Sequence, residues 1–306
     1  MERITTFSAY NSVITNLLAA EDRQNQANVQ VSSGKIATDL KGFGSNAEAL
    51  TAAQSLKTRV DGYVQTATNV ASQLDAQNAA LEEVSDAGLS ARQAIAGGSA
   101  DGLMASMQSA FSQSIDGMNA QFNGIYLFSG GRVTTKPVNA QNLSDLTSPP
   151  ASGIFQNDQL AATSKLNEAT TLNTGMLASN VATPLFNAFQ AVQALNEGPL
   201  GPLSGQLTQA QIAALTPMLQ TFDAANQGMT QTVAQNGLIQ NQVSSIQSVQ
   251  TQRQTNLKIT IGDMANVDMG EASAQLSQAQ TALQASARVF LSLQNTSLLN
   301  FLGGSG

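Results

Sequence analysis

No histidine and no cysteine occur among the 306 residues. That removes the commonest general base and metal ligand, the thiolate nucleophile and the disulfide. Tryptophan is missing as well, only 5% of residues are aromatic, and 11% are charged. The charged share is about half that of an ordinary soluble domain. A chain so short of large side chains builds thin helical layers more readily than a thick core. Its polar faces are mostly amide and hydroxyl, which repel copies of themselves weakly, so the composition favours self-association. The net charge of −7 leaves no basic stripe to neutralise phosphates, and no nucleic-acid partner is expected. No run reaches the roughly 18 continuous apolar residues of a membrane span, so no membrane insertion is expected. The segment after Glu2 and Arg3 is broken by Thr, Ser and Asn and does not read as a cleavable signal peptide.

What is present is helical periodicity. From Met269 to Leu302 the residues Met269, Ala272, Leu276, Ala279, Leu283, Ser286, Phe290 and Leu293 alternate steps of three and four. This spacing lays one apolar stripe along a helix, the pattern of a coiled-coil seam, and such a stripe needs a partner helix. Residues 4–31 offer one: Val13, Leu17, Ala20, Gln24, Ala27 and Val31 form a seam backed by Ile14 and Leu18. Ser32-Ser33-Gly34-Lys35 then breaks the pattern. A long seam runs from Ala53 through Leu56, Val60, Tyr63, Ala67, Val70, Leu74, Gln77, Leu81, Val84, Gly88 and Ala91 to Ile95, the length of a rod element. Gly97-Gly98 end it. A third helix follows from Leu103 to Gln121, with Met104, Met107, Phe111 and Met118 on one side, and folds back as an antiparallel hairpin.

Ile125 to Phe128 reads as a short strand closed by Ser129-Gly130-Gly131. All seven prolines lie between Pro137 and Pro217, and Ser148-Pro149-Pro150 is a turn signal. Short strands are expected near Ile154-Phe155, Ala169–Leu172 and Met176-Leu177, and one short helix from Pro184 to Asn196. Residues 132–182 thus read as a small β-rich or irregular insertion. Periodicity returns at Thr208 with Leu215, Leu219, Phe222, Met229 and Val233. Gly237 suggests a small register change to Ile239, Val243 and Ile246.

No catalytic set emerges. Asp263, Asp268 and Glu271 form an acidic group, but acids at a helix entrance are explained by its positive N-terminal end. Gly42-x-Gly44 follows no strand and lacks the spacing of a phosphate loop. The methionine stripe reads as core packing, and Arg132 and Lys136 as solvated. No enzyme activity, metal or cofactor is expected.

Several pieces resemble the flagellin superfamily. They are Ser32-Ser33-Gly34-Lys35-Ile36 after the first helix, Asn69-Val70-Ala71 and Leu81-Glu82-Glu83-Val84 in the long helix, and Asp268-Met269-Gly270-Glu271-Ala272 with Leu276–Ser286 at the last helix. Ser297-Leu298-Leu299-Asn300-Phe301-Leu302 is similar to the superfamily's terminus. The double-Asp motif that usually follows the first of these is replaced by Gly42-Phe43-Gly44-Ser45-Asn46-Ala47. Asn123-Gly124-Ile125-Tyr126-Leu127-Phe128-Ser129-Gly130, and Ala234-Gln235-Asn236-Gly237 followed by Asn241-Gln242-Val243, resemble the branch that joins hook to filament (hook-associated protein 3 type) more than the filament subunits.

The resemblance implies a mainly α fold: a long antiparallel helical rod with paired N- and C-terminal coiled-coil helices and a small β-rich insertion. Its parts are 1–40 plus 260–306, 41–131 plus 205–259, and 132–204. It implies an extracellular place in the bacterial flagellum, reached by type III export without a cleaved signal. It also implies partners: copies of itself, hook-associated protein 1, flagellin, and an export chaperone on the C-terminal helix. The packing residues are expected to be Val13, Ile14, Leu17, Leu18, Val31, Leu276, Leu283, Phe290, Leu293, Leu298, Leu299 and Phe301. Tyr126, Leu127, Phe128 and Gly130 form the base of the insertion.

Overall fold

The computed structural model describes residues 2–147 and 151–303, and the side chains of residues 8, 10–147 and 151–294. Among the described residues six α-helices carry the fold: α1 (Glu2–Ser33), α2 (Ala47–Ala96), α3 (Leu103–Met118), α4 (Ala178–Glu197), α5 (Gln209–Ala265) and α6 (Met269–Gly303). Two antiparallel hairpins complete it, β1 (Gln121–Phe122) with β2 (Ile125–Tyr126), and β3 (Thr163–Lys165) with β4 (Thr171–Asn173). The contacts fall into two units, residues 1–59 with 253–306, and residues 60–252.

In the second unit the long seam of α2 packs inward as its spacing predicts. Val60, Ala67, Val70, Leu74, Gln77, Leu81, Val84, Ala91 and Ile95 are all buried. Gly97 and Gly98 end the helix, Gly98 at φ 67°, where a Cβ is unfavourable. Helix α3 folds back along α2 closely enough that a Cβ on Gly117 would collide with Val84 and the Ala80 carbonyl. It ends at Met118, three residues before the expected Gln121, because Asn119 turns to the insertion. The Asn119 side chain donates to the Val138 carbonyl (3.1 Å) and accepts from the Val138 N–H (2.9 Å).

Helix α5 lies antiparallel to α2. Asn236 Nδ2 donates to the Leu74 carbonyl (2.8 Å), Gln240 to Asp75 (3.2 Å) and Gln247 to Thr68 (2.9 Å), while Arg92 pairs with Asp223. The expected register change at Gly237 does not occur. Leu215, Phe222, Met229, Asn236, Val243 and Gln250 are buried at strict seven-residue spacing, so a polar residue continues the seam where a break was read.

Aromatic rings join α3, α4 and α5. Phe111 meets Phe186 and Phe189 edge-on (centroids 5.3 and 5.5 Å), Phe189 meets Phe222 (5.3 Å), and Phe155 stacks on Phe186 at 17°. Each such pair adds about 0.5–1.5 kcal/mol to what burial of the rings supplies. Met107 and Met118 are fully buried here, as core.

Much of the insertion is irregular. Its strands are the β3–β4 hairpin and the isolated bridges Val138–Phe155 and Ser129–Leu177. Ile154, expected in a strand, closes a 3-10 turn (Ala151–Ile154). Leu177 bridges singly, and Ala169–Leu172 is realised as Thr171–Asn173. Helix α4 starts six residues before Pro184, which therefore sits inside it. Leu166, from the β3–β4 connection, is buried with Ala67, Val70, Leu74 and Val243, so the hairpin docks on the α2–α5 pair. Ser148-Pro149-Pro150 lies outside the described residues.

Candidate assembly surface of the terminal helices

The first unit is built on α1 and α6. They run antiparallel, and Tyr10 and Phe290 meet near one end with centroids 5.6 Å apart. The other end is tied by backbone. Gly34 turns at φ 68°, its carbonyl accepts from the Val267 N–H (3.1 Å), and the Ile36 N–H donates to the Ala265 carbonyl (2.9 Å). Ser32-Ser33-Gly34-Lys35 therefore does more than break a helix. It forms a short bridge, Lys35 with Asn266, to the break between α5 and α6.

At that break Asp268 caps α6, its Oδ1 accepting from the N–H groups of Gly270 (2.7 Å) and Glu271 (3.1 Å). Acidic Glu271 in the first turn suits the positive helix end. Among the described residues no group of three or more His, Cys, Asp or Glu could hold a metal ion.

Between these ends the pair is floored by small residues. Ala20, Ala27, Ala272 and Ala279 are buried, while the larger seam residues Val13, Ile14, Leu17, Val31, Leu276, Leu283, Phe290 and Leu293 are only partly covered. Two helices alone cannot enclose them. Met269 (48% exposed) and Leu18 (55%) fall off the seam, Met269 because it begins the helix and Leu18 because it faces outward. Val289 and Leu291 are also more than half exposed. A groove of about 360 Å³ opens along the pair, with Ala20, Ala27 and Ala279 at its base and Arg23, Gln26 and Gln275 on its walls. The side chains of Leu298, Leu299 and Phe301 lie outside the described residues.

The insertion-base residues lie together in the second unit. Asn123 (φ 51°) and Gly124 (φ 79°) make the two-residue turn between β1 and β2. Leu127 and Phe128 are buried, Tyr126 is half-buried, and only β2, not the whole run to Phe128, is strand. A Cβ on Gly130 would clash with Asp158, the Leu160 carbonyl and Leu177. The N–H groups of Gly131 and Leu160 donate to Asp158 Oδ1 (2.9 Å each), and these bonds hold its carboxyl below the usual value. Arg132 and Lys136 are exposed.

Sequence reading missed the polar members of the α5 seam, Asn226, Asn236 and Gln250, all buried. The seven-residue spacing through Asn236 was the available signal.

Residues 219–302 match the family described as bacterial flagellin C-terminal helical region. No curated protein matches the chain. Among solved structures, a flagellar hook-associated protein from Vibrio parahaemolyticus has a TM-score of 0.59 at 17% identity, covering 74% of this chain and 99% of that one. FlgL of Bacillus cereus has a TM-score of 0.51 at 13% identity, covering 64% of this chain and 98% of that one. Residues 219–302 thus match the flagellin C-terminal helical region, and the chain shares its fold with these two proteins.

Proposed function

We propose that the protein is a structural subunit of the bacterial flagellum, of the type that joins hook to filament. The observation that carries this reading is the incomplete burial of the α1–α6 seam. Leu276, Leu283, Phe290 and Leu293 stay half-covered although they face the partner helix. Completing the burial of such side chains is worth up to about 1.5–3 kcal/mol each. A neighbouring copy of the same helix pair supplies what one copy lacks, and the low charge density opposes that contact little. The role is architectural, without catalytic chemistry.

The three-part division at 1–40 plus 260–306, 41–131 plus 205–259, and 132–204 belongs to this proposal. So do hook-associated protein 1 and flagellin as flanking partners, a chaperone on the C-terminal helix, and type III export. The fold shared with a hook-associated protein and with FlgL supports the junction role over the bulk filament subunit. A strain lacking the protein is expected to build hooks while unpolymerised flagellin accumulates in the medium. If instead the deletion removes the flagellin pool itself, the protein is the filament subunit and the junction reading fails.

A further inference from the structure

Seven-residue repeats on two paired helices create an ambiguity. Val60, Ala67, Leu74, Leu81 and Ile95 of α2 repeat at multiples of seven, and so do Leu215, Phe222, Met229 and Val243 of α5. Sliding α5 by seven residues along α2 lays apolar residues on apolar residues again, so most of the seam cannot tell one register from the next. Asn236 resolves little of this, because the carbonyl it binds is offered by every residue of a helix.

Gln240–Asp75 and Gln247–Thr68 are exposed polar pairs and Phe222 meets Phe189 of α4, but within the α2–α5 seam itself one contact differs. Gly88, the only seam residue of α2 between Val60 and Ile95 without a Cβ, lies against Asn226 of α5. A Cβ built on Gly88 overlaps Asn226 Oδ1, and on the other side Leu185 Cδ1 stands 3.1 Å from it. Asn226 is 8% exposed, and its side-chain nitrogen and oxygen have no hydrogen-bond partner among the described residues. Two unfavourable choices therefore meet: a glycine inside a 50-residue helix and a buried amide with no hydrogen-bond partner among the described residues. The amide occupies the space that Gly88 leaves by having no Cβ. After a slip of seven residues Asn226 would face Leu81 or Ile95, whose side chains fill the space that Gly88 leaves open. The neighbouring Arg92–Asp223 pair is more than one-third exposed on both sides and adds little discrimination.

We propose that Gly88 and Asn226 form a steric key that fixes the α2–α5 register, so that every copy presents the same surface. The key sacrifices local stability for uniqueness of register. It concerns folding of the single chain and stands whether or not the junction role holds.

The chain has no cysteine, so introduced pairs report register directly. Thr68→Cys with Gln247→Cys marks the observed register, since these side chains hydrogen-bond at 2.9 Å. Thr68→Cys with Gln240→Cys marks a seven-residue slip, since Gln240 faces Asp75 in the native pairing. In the full chain carrying Gly88→Ala and Asn226→Ala, the key is replaced by facing alanines. The slipped disulfide is expected to rise about tenfold over the parent, with thermal stability equal or higher. Gly88→Ala alone is expected to lower the melting temperature by about 3 °C or more. A slipped disulfide that stays at the parent's background in the double variant overturns the proposal. So does a Gly88→Ala protein that melts higher, as helix propensity alone dictates.

Discussion

Tyr10 and Phe290, separated by nearly the whole chain, meet ring to ring at 5.6 Å with planes tilted by 39°. The contact closes α1 onto α6. Its strength is modest because Phe290 is only half-buried. Phe290→Ala is expected to cost about 1–2 kcal/mol locally, below the range for a fully buried ring. In a double-mutant cycle with Tyr10→Ala, a coupling of about 0.5–1.5 kcal/mol is expected. Hydrogen exchange checks this: protection falls in α1 and α6 and stays unchanged in residues 60–252. Equal loss in both units sinks the prediction.

The opposite end of the pair rests on backbone geometry. Gly34 sits at φ 68°, and Asp268 caps α6 through two N–H groups. Gly34→Val is expected to destabilise by about 1–2 kcal/mol, since a β-branched residue tolerates a left-handed backbone poorly. Asp268→Ala is expected to cost about 0.5–2 kcal/mol and Asp268→Asn less, because asparagine also caps. Calorimetric unfolding of the three variants gives the order. If Asp268→Asn is as damaging as Asp268→Ala, charge rather than capping is what Asp268 supplies.

Where the sequence was legible, one helical period governed burial. The α2 seam is buried from Val60 to Ile95 at every seam position but the half-covered Tyr63, Gln77 included, because a helix of that length has one buried side and repeats it, whereas Ala53 is half-covered and Leu56 exposed at its start. The α6 stripe was legible for the same reason from Ala272 to Leu293, and failed at Met269, where the helix begins. The insertion was not legible. Its order comes from non-local bonds such as Asn119 with Val138, nineteen residues apart, which leave no periodic trace. Pro184 misled in another way: it suggested the start of α4, while packing of Ala178 and Ala182 extends the helix ahead of it. At the surface of the terminal pair, spacing placed Leu17 and Leu18 together, and only Leu17 turns toward the seam.

Asp145 gives the insertion a dependence on acid. Its Oδ2 accepts from the N–H groups of Gln141 (2.8 Å) and Asn142 (3.0 Å) at the start of the 3-10 turn Leu143–Leu146. The bond from Asn142, then that from Gln141, holds its pKa below 3.8. A lowered folded value means that the stabilisation is complete above the ordinary carboxylate pKa and is lost as pH falls through the lower folded one. Unfolding of the second unit is thus expected to show an acid limb below about pH 4. In Asp145→Asn that limb shrinks, with a loss at neutral pH of about 0.5–1 kcal/mol, at the low end for a cap in contact with solvent. Thermal melts from pH 2.5 to 7 test it, and an unchanged acid limb in the variant removes Asp145 from the account.

Leu18 and Leu291 separate folding from assembly. Both are more than half exposed, 55% and 57%, so neither contributes much to the packing of α1 on α6 within one chain. Substitution to serine at such positions is expected to leave the monomer's stability within about 0.5 kcal/mol. In the assembly of copies proposed above the same side chains would leave water, and each, already nearly half covered, would add half of the about 1.5–3 kcal/mol of full burial. Leu18→Ser with Leu291→Ser is therefore expected to raise the critical concentration for self-association at least about tenfold, since 1.4 kcal/mol corresponds to a factor of ten. The monomer melting curve should barely move. Sedimentation across a concentration series measures the first quantity and calorimetry the second. If association is unaffected while the monomer melts earlier, these leucines serve the fold of one chain, and the surface that binds the next copy must be sought elsewhere on the helix pair.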